Sequence, residues 1–276
     1  MSKSYKSGIS VCITAYHSKK FIKETLDSIS NQTWFKTHDN YEIIVGIDGD
    51  IEDAMYVHSL MEKYKNIRVI VMESNEGTYV TTNTVMDAAR YEWLLRFDSD
   101  DLMKSCMIER LMNNAGHDIV RFYHNSPNSS SKEIAHGQIM MKHEIFDRFG
   151  GYRPWTCGAD TEFEKRVFNF VDVYTINESL FVRRLFDNNL TTSFTTGMNS
   201  NLRKKNLTFI LNESFKSEQE AKLNLVRNSF YEIFPTTDVS IIKIKDGKQL
   251  RKDADGASIT PAGNHLTRRT AVYFRH

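Results

Sequence analysis

At the end of one apolar run the chain reads Trp93-Leu94-Leu95-Arg96-Phe97-Asp98-Ser99-Asp100-Asp101, so three carboxylates crowd into four positions. Clustered carboxylates raise one another's pKa values unless a cation compensates. Hard oxygen donors suit a divalent ion such as Mg²⁺ or Mn²⁺, which in turn grips phosphate oxygens. The chemistry implied is that of an enzyme handling a nucleoside diphosphate. Asp-x-Asp also occurs at Asp48-Gly49-Asp50 and Asp253-Ala254-Asp255. Turn formation explains acids beside glycine without any metal, so the surrounding elements have to separate the three.

Those elements alternate. Ile9–Thr14 is a β-branched run, and Phe21, Ile22, Leu26 and Ile29 then recur at helical spacing. Tyr41–Ile47 reads as a second strand ending at Asp48, followed by a helix with Ala54, Val57, Leu60, Met61 and Tyr64 on one face. A third strand spans Ile67–Met72, Glu76-Gly77 turns into a helix through Ala89, and Trp93–Phe97 is the fourth strand. This order predicts an α/β fold with a mostly parallel sheet flanked by helices. Ligands of open α/β sheets bind beyond the carboxyl ends of the strands. Thr14-Ala15-Tyr16, Asp48 and Asp98-Ser99-Asp100 all follow strands directly and could share one rim. The plainer alternative is that Asp48 caps the next helix and Asp101 the one after Leu102. Neither a G-x-G-x-x-G after the first strand nor a G-x-x-x-x-G-K-[ST] is present, which disfavours phosphate binding by a glycine cradle.

Composition narrows the class. Lys+Arg is 36 against 35 for Asp+Glu, so no global charge demands a nucleic acid or an anionic lipid. No apolar stretch reaches the roughly 20 residues of a membrane span. Residues Met1–Ser7 lack the apolar core of a secretion signal. Cys12, Cys106 and Cys157 have no metal-type spacing and read as reduced thiols. A cytoplasmic location is expected, at most at the cytoplasmic face of a membrane.

In its ordered blocks the chain resembles the inverting family 2 glycosyltransferases with a GT-A fold. Val11–Ile29 looks like that family's opening strand and helix, and Asn31-Gln32-Thr33 with Glu42–Asp50 is similar to its second block. Asn75-Glu76-Gly77 with Asn83, and Phe97–Asp101, resemble the third and fourth. The likeness runs on through Gly150-Gly151-Tyr152-Arg153 and Ala159–Phe163 to about Thr192. It implies a GT-A catalytic domain over residues 1–196, with a nucleotide-sugar half to about 101 and an acceptor half from about 102. Residues 197–276 would form a mainly helical C-terminal extension ending in a basic tail.

Carried over by position, the resemblance implies that Thr14, Ala15, Tyr16 and Asp48 hold the base and ribose of the donor, with Asn83 orienting the nucleotide loop. Asp98 and Ser99 would lie by the ribose and metal, and Asp98 and Asp100 would ligate Mn²⁺ or Mg²⁺. Asp101 is either a third acid or a helix cap. In the family the acid at the position of Asp160 is the catalytic base, an alternative to a plain N-cap; the frequent Glu-Asp pair is here Ala159-Asp160. Glu162 is the other candidate for the base and for acceptor contact, and Tyr152 and Trp155 could stack on an acceptor sugar. The family's Arg-x-His is matched near Arg184 by Phe186, which cannot ligate, so Arg184 or Asp187 could touch the diphosphate instead.

The implied activity is metal-dependent, inverting transfer from a nucleotide-diphosphate sugar, a UDP-sugar first, to a glycan hydroxyl. Two alternatives stand beside it: transfer onto a modified nucleic-acid base, and a non-catalytic nucleotide-sugar binding protein. Residues 240–276 carry eight Lys/Arg against three Asp, a solvated tail or a contact for a polyanion such as nucleic acid. Helical spacing continues from Leu202 to Phe230, and Val239–Lys248 suggests a strand and a tight turn.

Overall fold

The computed structural model describes residues 3–125, 131–186, 189–225 and 228–244. Asp187, the Asp253-Ala254-Asp255 triplet and the basic tail from residue 245 onward lie outside the described residues. The first half is built from β1 (Lys6–Ala15), α1 (Ile22–Ser30), β2 (Tyr41–Ile47), α2 (Ile51–Leu60), β3 (Ile67–Met72), α3 (Thr78–Ala88) and β4 (Tyr91–Asp98). The four strands pair in parallel in the order β3-β2-β1-β4. Every residue of β2 is buried, because helices cover both faces of the sheet. Ile43, Val45 and Ile47 face a core shared with Ile22, Leu26 and Ile29 of α1. Ile44 joins Cys12, Leu94 and the α3 residues Val85 and Met86 on the other side.

The second half continues the sheet with the opposite sense. After β5 (Leu102–Met103) and α4 (Met107–Met112) come β6 (Ile119–Asn125), β7 (Lys132–Ile134), β8 (Met140–Lys142), α5 (His143–Phe149), α6 (Ala159–Val167) and β9 (Val173–Val182). The order runs on as β4-β8-β6-β9-β5, with β8 antiparallel to β4 and to β6, and β7 beside β6. The parallel reading thus holds for β1–β4, while the sheet as a whole is mixed. Since β5 follows Asp101 directly, Asp101 caps no helix.

After the second half the described chain returns to the far edge of the same sheet. After α7 (Asn201–Asn212) and α8 (Glu218–Ala221), β10 (Phe230–Ile233) pairs antiparallel with β3. The helical spacing through Leu223 and Phe230 therefore does not make a helix: Leu223 N donates to Phe149 O at 3.0 Å, and Phe230 joins the sheet. Val239–Ile241 is a 3₁₀ turn, not the start of a strand.

A buried charge network fastens this edge. Arg68 on β3 donates to Glu42 of β2 at 2.8 Å and to Glu232 of β10 at 2.7 Å, and Glu42 also accepts from Ser10 Oγ and Arg90 N. Removing one partner of a buried pair leaves the others uncompensated. Arg68→Ala is expected to lower the unfolding free energy by about 3–5 kcal/mol in urea titration. A loss below about 1 kcal/mol, the worth of an exposed pair, would show that the network carries no weight.

Candidate active site

Backbone register brings the carboxyl ends of the central strands level: Thr14 lies beside Gly46 and Asp98, and Ala15 beside Ile47. The loops leaving those ends are held by acids. Asp50, not Asp48, caps α2, its Oδ1 accepting from Glu52 N and Asp53 N, while its Oδ2 lies 2.7 Å from His17 Nδ1. Asp53 accepts from Ser18 N, Ser18 Oγ and Lys19 N. Together they fix the β1 loop, in which His17 has a φ of 52°. This leaves Tyr16 45 % exposed beside the His17 ring. Thr14 Oγ1 is 2.8 Å from Thr82 Oγ1, and Ala15 is buried with its carbonyl accepting from Asp48 N.

Asp48 is buried, and its carboxylate accepts from Glu76 N at 2.7 Å, Gly77 N at 2.9 Å and Thr81 Oγ1 at 2.9 Å. It thereby braces the entry into α3. Gly49 permits the approach: a Cβ there would sit 2.2 Å from the Ser74 carbonyl carbon. Asn83, on the same helix, is occupied as well. Its amide donates to Tyr152 O at 2.7 Å and its oxygen accepts from Tyr152 N at 2.9 Å, so it clasps the Gly150-Gly151 turn.

At the end of β4 the three acids do meet. Asp98, Asp100 and Asp101 each offer an oxygen, all within 4.8 Å of one another. Burial, then the neighbouring Asp98, pushes the Asp100 carboxyl up to about 6. Burial, then Asp100 and Asp98, pushes Asp101 up to about 8. Like charges confined this closely call for a cation, and an all-oxygen donor set fits Mg²⁺ or Mn²⁺. Asp101 is the most tightly held: Gln138 Nε2 donates to it at 2.6 Å and Arg184 N at 2.8 Å. The same Gln138 amide donates to Asp98 at 3.1 Å. Ser99 is buried, its carbonyl accepting from Thr25 Oγ1.

Arg184 is engaged by the acidic loop and α1. Its side chain donates to the Asp100 carbonyl, to Thr25 Oγ1 at 3.0 Å, to Phe21 O and to Glu24, latching the acidic loop onto α1. Phe186 stacks on Phe21 with ring centroids 4.4 Å apart, a packing role in place of a ligand.

On the acceptor side the structure removes three candidates. Glu162 is fully buried between Arg153 at 2.8 Å and Arg166 at 2.7 Å, which anchor it as a counter-ion and deny it the mobility and access of a base. Tyr152 is buried against Phe163 and Tyr79, and Trp155 packs edge-on to Phe209, so both rings belong to the core. Asp160 remains. It stands partly exposed in the first turn of α6, which Gly158 caps, and after burial its charge is what pushes the Tyr79 hydroxyl up. Three residues not singled out from the sequence complete the site: Tyr79, Gln138 and Arg96. Arg96 had a signal, being the one charge inside an apolar strand and on the same face as Asp98.

Comparison with known proteins agrees with this geometry. A sequence model described as "Glycosyl transferase family 2" matches residues 10–158. The chain is 35 % identical over 107 residues to a poly(ribitol-phosphate) beta-glucosyltransferase of Bacillus spizizenii, covering 38 % of this chain and 17 % of that protein. It is 31 % identical over 104 residues to glycosyltransferase GlyG of Streptococcus pneumoniae, covering 37 % and 33 %. These matches span a third or less of those relatives' length. Among solved structures, Staphylococcus aureus TarS 1–349 in complex with UDP-GlcNAc superposes with a TM-score of 0.60 at 16 % identity, over 77 % of this chain and 69 % of that one. Mannosyltransferase PcManGT from Pyrobaculum calidifontis, in complex with GDP-Man and Mn²⁺, gives 0.59 at 14 % identity, over 77 % and 69 %. The structural likeness establishes the GT-A fold. With the family model spanning more than half of its residues, the chain belongs to glycosyl transferase family 2.

Proposed function

We propose that the protein moves a sugar from a nucleoside-diphosphate sugar, a UDP-sugar first, to a hydroxyl of a glycan, with inversion and with Mn²⁺ or Mg²⁺. The observation that carries this is the meeting of Asp98, Asp100 and Asp101 at the carboxyl end of the sheet, with Arg96 standing between them and Asp160. The UDP-sugar donor is supported by the TarS complex with UDP-GlcNAc, and a glycan-type acceptor by the relative that acts on poly(ribitol-phosphate). PcManGT, a fold relative, was solved with Mn²⁺. Among the described residues no helix is long and apolar enough to cross a membrane.

The residues divide the work by location. Exposed Tyr16 offers its ring to the base, while Asp48 acts on the donor through the α3 turn it braces. Asp98 and Asp100 hold the metal, with Asp101 beside them. When bound, the ion supplies positive charge to the departing diphosphate. Arg184 and, to a lesser degree, Arg183 bring positive charge to Asp100, where the diphosphate would lie. Asp160 receives the proton of the acceptor hydroxyl as that oxygen bonds to the anomeric carbon. The bond from that carbon to the diphosphate oxygen breaks, and its electron pair leaves with the nucleotide. A single displacement of this kind inverts the anomeric centre.

Two substitutions separate the halves of the site. Asp100→Ala is expected to abolish Mn²⁺-stimulated UDP release from a UDP-sugar, a loss of about 10²–10³-fold for several kcal/mol of charge stabilisation. Equal metal-dependent turnover in that variant would refute the metal site. Asp160→Asn is expected to cut turnover by about 10²–10⁴-fold while UDP–Mn²⁺ affinity by calorimetry stays within about threefold. If affinity fell in step with turnover, Asp160 would belong to the donor pocket and not to the acceptor.

A further inference from the structure

We infer that Arg96 is a positioning residue that holds the metal-binding acid Asp98 and the acceptor-side Asp160 in one frame. This rests on the transferase reading of the site and deepens it. Arg96 is only 6 % exposed on β4, flanked in the sequence by Leu95 and Phe97. Its Nη2 lies 3.0 Å from Asp98 Oδ1. Its other arm and the Asp160 carboxylate, which do not form a direct ion pair, both crowd Gly137. A Cβ on that glycine would stand 2.4 Å from Arg96 Nη1 and 2.8 Å from Asp160 Oδ2. Both groups therefore press on the same face of one α-carbon, and any side chain there would drive them apart. Gly137 also has a φ of 83°, which glycine adopts at little cost.

The surroundings immobilise the guanidinium. The Tyr79 and Tyr152 rings lie 5.6 and 5.7 Å from its central carbon. Tyr79 also feels the Asp160 charge, which with burial pushes its hydroxyl up, so one aromatic neighbours both partners. Arg96 N donates to Ile139 O at 3.1 Å, fixing the backbone from which the side chain extends.

Stability alone does not account for this arrangement. The Asp98 side chain is 40 % exposed, so water can solvate it without help. Burying an arginine for an acid that water already serves costs desolvation, and an apolar residue of similar size would fill the space at no such cost. What an apolar residue cannot do is hold a fixed positive charge against Asp98 and beside Asp160, carboxylates from opposite halves of the site. β4 brings Asp98 with the donor, and α6 brings Asp160 with the acceptor. Without a cation between them, the two acids would repel and the reacting atoms would lose their alignment. Misplacement by about 1 Å can cost about 10²-fold in rate.

A double-mutant cycle on the full chain tests this. UDP or GDP release is measured with Mn²⁺ from UDP-N-acetylglucosamine, UDP-glucose and GDP-mannose, keeping the donor that the unsubstituted protein turns over fastest. Arg96→Lys keeps the charge but on a flexible stem; Gly137→Ala keeps the guanidinium and places a methyl where both groups crowd. Each is expected to lower kcat by about tenfold or more alone, yet by less than about twofold on top of Asp160→Asn. Thermal unfolding of each variant is followed alongside, and if one fails to fold the other decides the cycle. Equal losses in the presence and absence of Asp160 would overturn the positioning role, because a structural or donor-binding effect does not depend on the acceptor-side carboxylate. No turnover of any donor by the unsubstituted protein would instead overturn the transferase reading, and this inference with it.

Discussion

Mutual repulsion among Asp98, Asp100 and Asp101 is the constraint around which the rest of the site is arranged. Three carboxylates within 4.8 Å at the end of a buried strand are unstable company without compensation. The protein supplies part of it from groups of different kinds: the Gln138 amide across two of the acids, the Arg184 backbone N–H on Asp101, and the Arg96 guanidinium on Asp98. Burial holds Asp100 and Asp101 well above the ordinary carboxylate range even so. The charge left over is what a divalent ion and its diphosphate would satisfy.

A second acid extends this order across the sheet. Asp48 grips the start of α3, whose first turn carries Tyr79, and the Asp160 charge acts on that buried phenol. Asn83, one helical turn further on, fastens the Gly150-Gly151 turn that precedes α6. The helix is therefore a strut between the donor loops and the acceptor-side acid. Asp48 and Asn83 thus fix loops around the carboxyl end of the sheet.

Much of the first half was legible because its signals are local. The runs that became β1 to β4 are long, β-branched or aliphatic, and bounded by acids and glycines, so strand ends and the acidic cluster could be placed from spacing alone. What failed depended on partners distant in the chain. Nothing near Glu162 announces that Arg153 and Arg166 bury it, and nothing near Asn83 announces Tyr152, 69 residues away. Trp155 and Tyr152 looked available because aromatics beside glycines can line a sugar site, yet Phe209 and Phe163 claim them for the core. Short strands such as β5 and β8, two and three residues long, carry no periodicity at all. Leu223 and Phe230 fitted a helical pattern, but pairing with β3 was the stronger demand on that segment.

The most direct measurement is anomalous diffraction from crystals grown with UDP and Mn²⁺. The expected result is a manganese peak within about 2.0–2.4 Å of an oxygen of Asp100 or Asp98, with the diphosphate on its other side. Nucleotide bound away from the carboxyl ends of β1, β2 and β4, or diphosphate seated there with the ion coordinated by other residues, would contradict the account.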